Sequence, residues 1–147
     1  MVKLYLDICT LCRPFDDQRQ TRIVLETNSY LLILQYIVQG SFKLVISPVH
    51  KIEIASIPNQ HEKSQLNQVL NAYGKTINCN LTITRKRAED LTSQSFGIAD
   101  AAHLAFAEAG ADVFITCDDK LIKKYRKLYS RLRIMNPVEF CLIEELR

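Results

Sequence analysis

The chain has 147 residues, 48% of them apolar, and a net charge of +3. That length suits one domain with a sizeable core, and the apolar content argues against disorder. No apolar run approaches the roughly 20 residues that span a bilayer, and the start Met-Val-Lys-Leu-Tyr-Leu-Asp lacks the apolar core of a signal peptide, so a soluble cytoplasmic protein is expected.

The elements follow in chain order. Residues 2–6 read as a strand, followed by a loop through Arg13 to Asp17. A long amphipathic helix is expected over 19–39, stopped by Gly40. Residues 44–46 form a buried-type strand. Ser47-Pro48 then supplies an N-cap and a proline at the first helical position, opening a helix that carries Glu53. Another helix covers 59–73 and ends at Gly74. Thr76 to Thr84 is rich in β-branched residues, which suggests a short strand there. A helix over 85–95 is broken by Gly97, and Ile98-Ala99-Asp100 opens the next, which runs to 109 and stops at Gly110. Residues 113–116 read as a strand, 118–129 as a basic helix and 132–135 as a short last strand. Asn136-Pro137 begins a final helix with Phe140, Ile143 and Leu146 inward. Alternating strands and helices predict a single α/β domain, 1–147, with a largely parallel sheet. In such sheets, sites form beyond the carboxyl ends of the strands.

Four acids stand where that rule would place ligands: Asp7 and Asp118 just past strand ends, Glu53 and Asp100 early in helices. Carboxylates suit hard divalent cations, which take oxygen ligands. Taken singly, each reads equally well as a cap or a solvated acid. Thr116 is positioned to bond a ligand, and Asp119 to assist Asp118. His103 shares the face of Asp100 and reads as a satisfied, partly buried histidine that could orient a carboxylate or water. From Lys120 to Arg133 there are seven basic residues and no acid, more than the whole net charge, so the remainder of the chain is acidic. A basic stretch beside an acidic cluster suits a polyanion held through its phosphates; it also describes a solvated helix face.

The five cysteines are odd in number and fit reduced thiols better than a disulfide framework. Cys9-Thr10-Leu11-Cys12 follows a strand and raises a thiol redox centre as an alternative, although redox chemistry leaves the four acids unexplained. A zinc site lacks a second cysteine pair, and His50, His61 and His103 lack ligand spacing.

The stretches Leu4-Tyr5-Leu6-Asp7, Ile46 to Ile54, Gly97-Ile98-Ala99-Asp100-Ala101-Ala102-His103, Phe114 to Lys120 and Asn136-Pro137-Val138-Glu139-Phe140 together resemble a PIN-domain ribonuclease, the family that includes VapC-type toxins. The resemblance implies a three-layer α/β/α sandwich around a parallel sheet. It implies an acidic quartet, Asp7, Glu53, Asp100 and Asp118, that binds one or two Mg²⁺ or Mn²⁺ ions and cleaves RNA. Asp119, Thr116 and Cys9 would be accessory, and Arg13, Lys120, Lys123 and Lys124 would contact RNA. Cys9 departs from the small polar residue usual there, and a thiol is a weaker donor. The partners implied are RNA, a small antitoxin and a second copy of the chain, with the apolar residues of the 22–38 helix a possible docking surface. A non-catalytic module that keeps the fold is the other reading.

Overall fold

The structure is a computed structural model and describes residues 1–147. Five short strands, β1 (Lys3–Leu6), β2 (Lys43–Ile46), β3 (Gly74–Thr76), β4 (Val113–Ile115) and β5 (Arg133–Met135), form one sheet in the order β3-β2-β1-β4-β5. Every neighbouring pair is parallel. The chain builds outward from β1 to β3, then returns to the other side of β1 for β4 and β5. Strand order therefore reverses beside β1, which puts a crevice beyond the carboxyl ends of β1 and β4.

Side-chain alternation along the strands decides which helices cover which face. Leu4, Leu6, Leu44, Ile46, Val113 and Ile115 point to one face. There they pack on α2 (Thr21–Val38), α3 (Pro48–Ala55), α4 (Gln60–Tyr73) and α8 (Pro137–Ile143). Tyr5, Val45, Phe114 and Ile134 point to the other face, against α5 (Leu81–Ser93), α6 (Ile98–Gly110) and α7 (Asp119–Arg126). Burial on both faces is why β1 and β4 read as unbroken apolar runs. The alanines Ala101 and Ala107 are fully buried and let α6 lie close to the sheet.

Several boundaries differ from the sequence expectation, each for a physical reason. One short helix was not foreseen: α1 (Ile8–Leu11) is a single turn, capped by the Asp7 carboxylate, which accepts from the Ile8 N–H at 2.8 Å. A 3₁₀ turn over Arg13–Phe15 follows. The third strand lies at Gly74–Thr76, before the β-branched run, because Asn80 caps α5 by accepting from the Ile83 N–H at 3.1 Å. A local cap here outweighs β propensity. Helix α7 ends at Arg126, and Tyr129 lies beyond it in the left-handed region with φ 53°. In α8, Pro137, Phe140 and Cys141 are the buried residues, while Ile143 is 52% exposed. No helix is long and apolar enough to cross a membrane.

An internal polar cluster ties the first layer together. Glu26 interrupts the apolar pattern of α2 and is 1% exposed. Its carboxylate accepts from Arg13 Nε at 2.9 Å and Arg22 Nε at 3.3 Å, and from the Asn136 side-chain amide. Asn136 also caps α8 by accepting from the Val138 N–H at 2.8 Å. The cluster thus joins the 3₁₀ turn, α2 and α8.

Two stability predictions follow from these contacts. A Cβ on Gly74 would stand 2.7 Å from the Leu70 carbonyl oxygen, a backbone atom. Gly74→Ala should therefore destabilise by about 1–3 kcal/mol, read as a lower urea midpoint at constant m. Glu26→Ala should cost about 2–4 kcal/mol by stranding Arg13 and Asn136; an unchanged midpoint would show the cluster to be energetically idle.

Candidate active site

The carboxyl edge of the sheet gathers side chains from five elements. Asp7 follows β1 and is 8% exposed. Its Oδ1 accepts from the Ile8 N–H, and its Oδ2 accepts from Thr116 Oγ1 at 2.9 Å and from Cys9 Sγ at 3.5 Å. Thr116, fully buried past β4, also accepts from the Asp118 N–H at 3.2 Å. This one hydroxyl couples two of the acids. Cys9 lies 3.3 Å from Thr116 Oγ1 and accepts from the Cys117 N–H at 3.3 Å. The thiol at this position therefore does bond to Asp7, through a longer contact than a hydroxyl would make.

Glu53 projects from α3 and is partly exposed. Its Oε1 is bonded to His103 Nε2, which is itself 3.9 Å from Asp7 Oδ1. The hydrogen bond from His103 holds the Glu53 carboxyl below its ordinary range despite partial burial.

Asp100 is the third residue of α6, whose N-cap is Gly97 rather than an acid. Desolvation raises its pKa first, and the charges of Asp7, Asp118 and Glu53 add to that against a smaller opposing effect of His103. No hydrogen bond offsets the rise. Asp118 is exposed and caps α7 by accepting from the Leu121 N–H at 3.1 Å. Its cap reading is realised, and its charge is among those acting on Asp100.

The remaining candidates are placed as follows. Asp119 turns away into a two-pronged ion pair with Arg22, at 2.6 and 2.8 Å. Arg22 also donates to the Cys117 carbonyl at 3.2 Å. Arg13 is taken up by Glu26 and by Asp16 at 2.7 Å. Lys120 and Lys123 are exposed and line an open depression of about 410 Å³ with Asp119, Ile122 and Arg126. Lys124 is half-buried, donates to the Ser95 carbonyl and sits 4.5 Å over the Phe96 ring.

Sequence reasoning missed Tyr5, Ser47, His50 and Arg22. The Tyr5 hydroxyl is buried between Ser47 Oγ at 2.6 Å and His103 Nδ1 at 2.5 Å. His50 accepts the Ser47 N–H at 3.0 Å, taking the place of Glu or Gln in a capping box, and bonds the Leu6 carbonyl at 2.8 Å. Burial lowers its pKa to about 4. A tyrosine inside a central strand was the available signal, since a buried hydroxyl requires a partner.

All five cysteines are free. Cys12 is pushed up to about 12 by burial and by Glu62, and Cys9 is raised by the neighbouring Cys117 thiol, burial and Asp7. A redox Cys-x-x-Cys needs a depressed thiol pKa, and neither thiol of this motif has one.

No family model matches the chain, and no curated protein sequence matches it significantly. Solved structures do match in fold. VapBC2 from Rickettsia felis, bound to a DNA fragment from its promoter, aligns at TM-score 0.58 and 12% identity over 92% of this chain and 98% of that one. FitAcB from Neisseria gonorrhoeae aligns at TM-score 0.53 and 15% identity over 91% and 97%. PAE2754 from Pyrobaculum aerophilum aligns at 0.52 and 15% over 97% and 88%. The chain shares their architecture, the PIN-like α/β/α sandwich with a parallel central sheet.

The environment of Asp100 makes a pH-dependent prediction. Its raised pKa means that the folded state holds the proton more tightly than the unfolded chain. Stability should therefore fall as pH rises from the ordinary value of 3.8 through the raised one. Asp100→Asn should remove this slope and raise the Tm at pH 7 by about 2–4 °C, measured by calorimetry without divalent ions. A lower Tm for the variant would refute the repulsion.

Proposed function

We propose that this chain is a metal-dependent endoribonuclease acting as the toxin of a toxin–antitoxin pair. One observation carries the reading: the carboxyl edge of the sheet brings Asp7, Glu53 and Asp118, from three other elements, around the half-buried Asp100, where desolvation and then their charges oppose its ionisation. A fold does not maintain such mutual repulsion for stability, and a bound cation would relieve it. The donor set is all oxygen, which suits Mg²⁺ or Mn²⁺. No three His, Cys, Asp or Glu side chains enclose an ion by themselves.

Asp7, Glu53, Asp100 and Asp118 would hold the ion or ions. Bound there, a divalent ion supplies acidity to a coordinated water and offsets charge on the phosphate. Thr116 and Cys9 hold Asp7 by its Oδ2, so that carboxylate needs little reordering when it engages. Lys120 and Lys123 stand exposed on the helix that Asp118 caps, where they can hold flanking phosphates of an RNA strand. Arg13 and Lys124 can contribute only by giving up their present partners.

The partner reading rests on α2. Leu25, Leu31 and Val38 are 53%, 45% and 52% exposed. An open depression of about 640 Å³ runs along this helix, lined by Leu31, Leu32, Leu34 and Val38. Such a surface suits an antitoxin helix or a second copy of the chain. The fold likeness to VapBC2 and to FitAB, each solved on DNA, supports toxin–antitoxin biology. Because the acids do not enclose an ion outright, a non-catalytic module of the same fold is the competing reading.

Incubation with single-stranded RNA and Mn²⁺ or Mg²⁺ decides between them. Cleavage should stop with chelator, and Asp7→Asn should lower the rate at least about 100-fold while the protein stays folded. Saturating Mn²⁺ should raise the Tm of the wild type and leave Asp7→Asn unmoved. RNA cleavage that persists in chelator, or no cleavage together with no calorimetric Mn²⁺ binding, would sink the proposal.

A further inference from the structure

Behind the acidic edge lies a chain of hydrogen bonds that the proposed chemistry has not used. Ser47 Oγ is 2.6 Å from the Tyr5 hydroxyl, which is 2.5 Å from His103 Nδ1; His103 Nε2 meets Glu53 Oε1. Ser47, Tyr5 and His103 are at most 1% exposed. They come from three elements: the cap of α3, strand β1 and helix α6.

The direction of this chain follows from counting protons. When the Ser47 hydroxyl donates to Tyr5, Tyr5 donates to Nδ1 and Nε2–H donates to Glu53, every proton has an acceptor. In the reverse direction Ser47 Oγ would accept both from Tyr5 and from the Val49 N–H at 3.3 Å, and its own proton would have no partner, since Tyr5 and Val49 are the only groups it bonds. His50 cannot interfere. Its Nδ1 takes the Ser47 N–H and its Nε2–H is spent on the Leu6 carbonyl.

We propose that Ser47, Tyr5 and His103 form a one-way positioning relay that aims Glu53 into the acidic site. Tyr5 and Ser47, which no substrate can touch, thereby set how tightly the site holds a divalent cation. The mechanism is orientational. Tyr5 donates to Nδ1 and so fixes the plane of the His103 ring, the ring presents Nε2–H to Oε1, and Glu53 is held by one oxygen with the other free for a ligand. Metal sites commonly rely on such supporting bonds, whose loss lowers affinity about 10–100-fold. The consequence for metal affinity rests on the metal-site reading above; the relay itself does not.

The test has two arms. In the metal-free protein, ¹⁵N-histidine NMR should show His103 as the Nε2–H tautomer, assigned by loss of its signals in His103→Gln. Tyr5→Phe, which removes only the hydroxyl, should leave the Nε2–H tautomer facing Glu53 but shift the Nδ1 signal through loss of its hydrogen bond. In the second arm, calorimetry reads Mn²⁺ affinity. Tyr5→Phe should weaken it about 10-fold. His103→Gln, whose amide nitrogen can replace Nε2, should stay within about threefold of wild type, whereas His103→Asn, which replaces Nδ1, should lose 10-fold or more. A purely structural role predicts lower Tm for these variants with equal Mn²⁺ affinity, and that result would overturn the proposal. So would an Nδ1–H tautomer in the wild type. If Tyr5→Phe does not fold, Ser47→Ala queries the next link by the same readouts. If the wild type binds no Mn²⁺, the nuclease reading falls and the tautomer arm alone decides the relay.

Discussion

The structure turns on the burial of one hydroxyl, that of Tyr5 in the middle of the central strand. Neighbours on both sides and helices on both faces leave it no route to water. A buried hydroxyl without partners would cost about 1–3 kcal/mol, so the fold must bring partners to it. Ser47 arrives from the start of α3 and His103 from α6, on the two opposite sides of the sheet. Satisfying this atom therefore sets where both helices begin relative to β1. Those same starts carry Glu53 and Asp100 to the edge that Asp7 occupies. Core satisfaction and site assembly are one geometric condition.

The second support is electrostatic and sits on the other flank. Glu26 collects Arg13, Arg22 and Asn136 in the first helical layer. Through Arg22 this cluster reaches Asp119 and the Cys117 carbonyl, just beyond β4. The segment that presents Thr116 and Asp118 is thereby braced from outside as well as from the sheet. The charges in this cluster are balanced; those around Asp100 are not. One group of acids is compensated and serves the fold, while the other is left in conflict, the combination expected where binding rather than stability governs residue choice.

Cys9 shows how a departure from a familiar pattern can be accommodated. Its thiol still reaches Asp7 and Thr116, and Thr116 carries the shorter bond to the same carboxylate oxygen. Asp7 Oδ2 is held both by the residue two positions along and by one more than a hundred positions away. No reading of the local motif could show this, because the compensating hydroxyl lies past a different strand.

Much was legible in the chain itself. The apolar runs at 2–6 and 113–116, the Ser47-Pro48 and Asn136-Pro137 starts and the Gly97 break are local signals, and local sterics and capping obey them. The positions of the four acids relative to those elements were legible for the same reason. Less local outcomes were not. The β-branched stretch after Thr76 yielded to the Asn80 cap, and the strand moved to Gly74, where only glycine clears the Leu70 carbonyl. Asp119, expected as an accessory, and Arg13, expected at RNA, are instead held in ion pairs by Arg22 and Glu26, which are distant in sequence and adjacent in space. By itself the sequence determined which elements form and where acids sit along them, since caps, breaks and periodicity act over a few residues. Only the tertiary structure decided which acids share a field and what orients each one, because charge and hydrogen-bond partners act across space and take no account of distance along the chain.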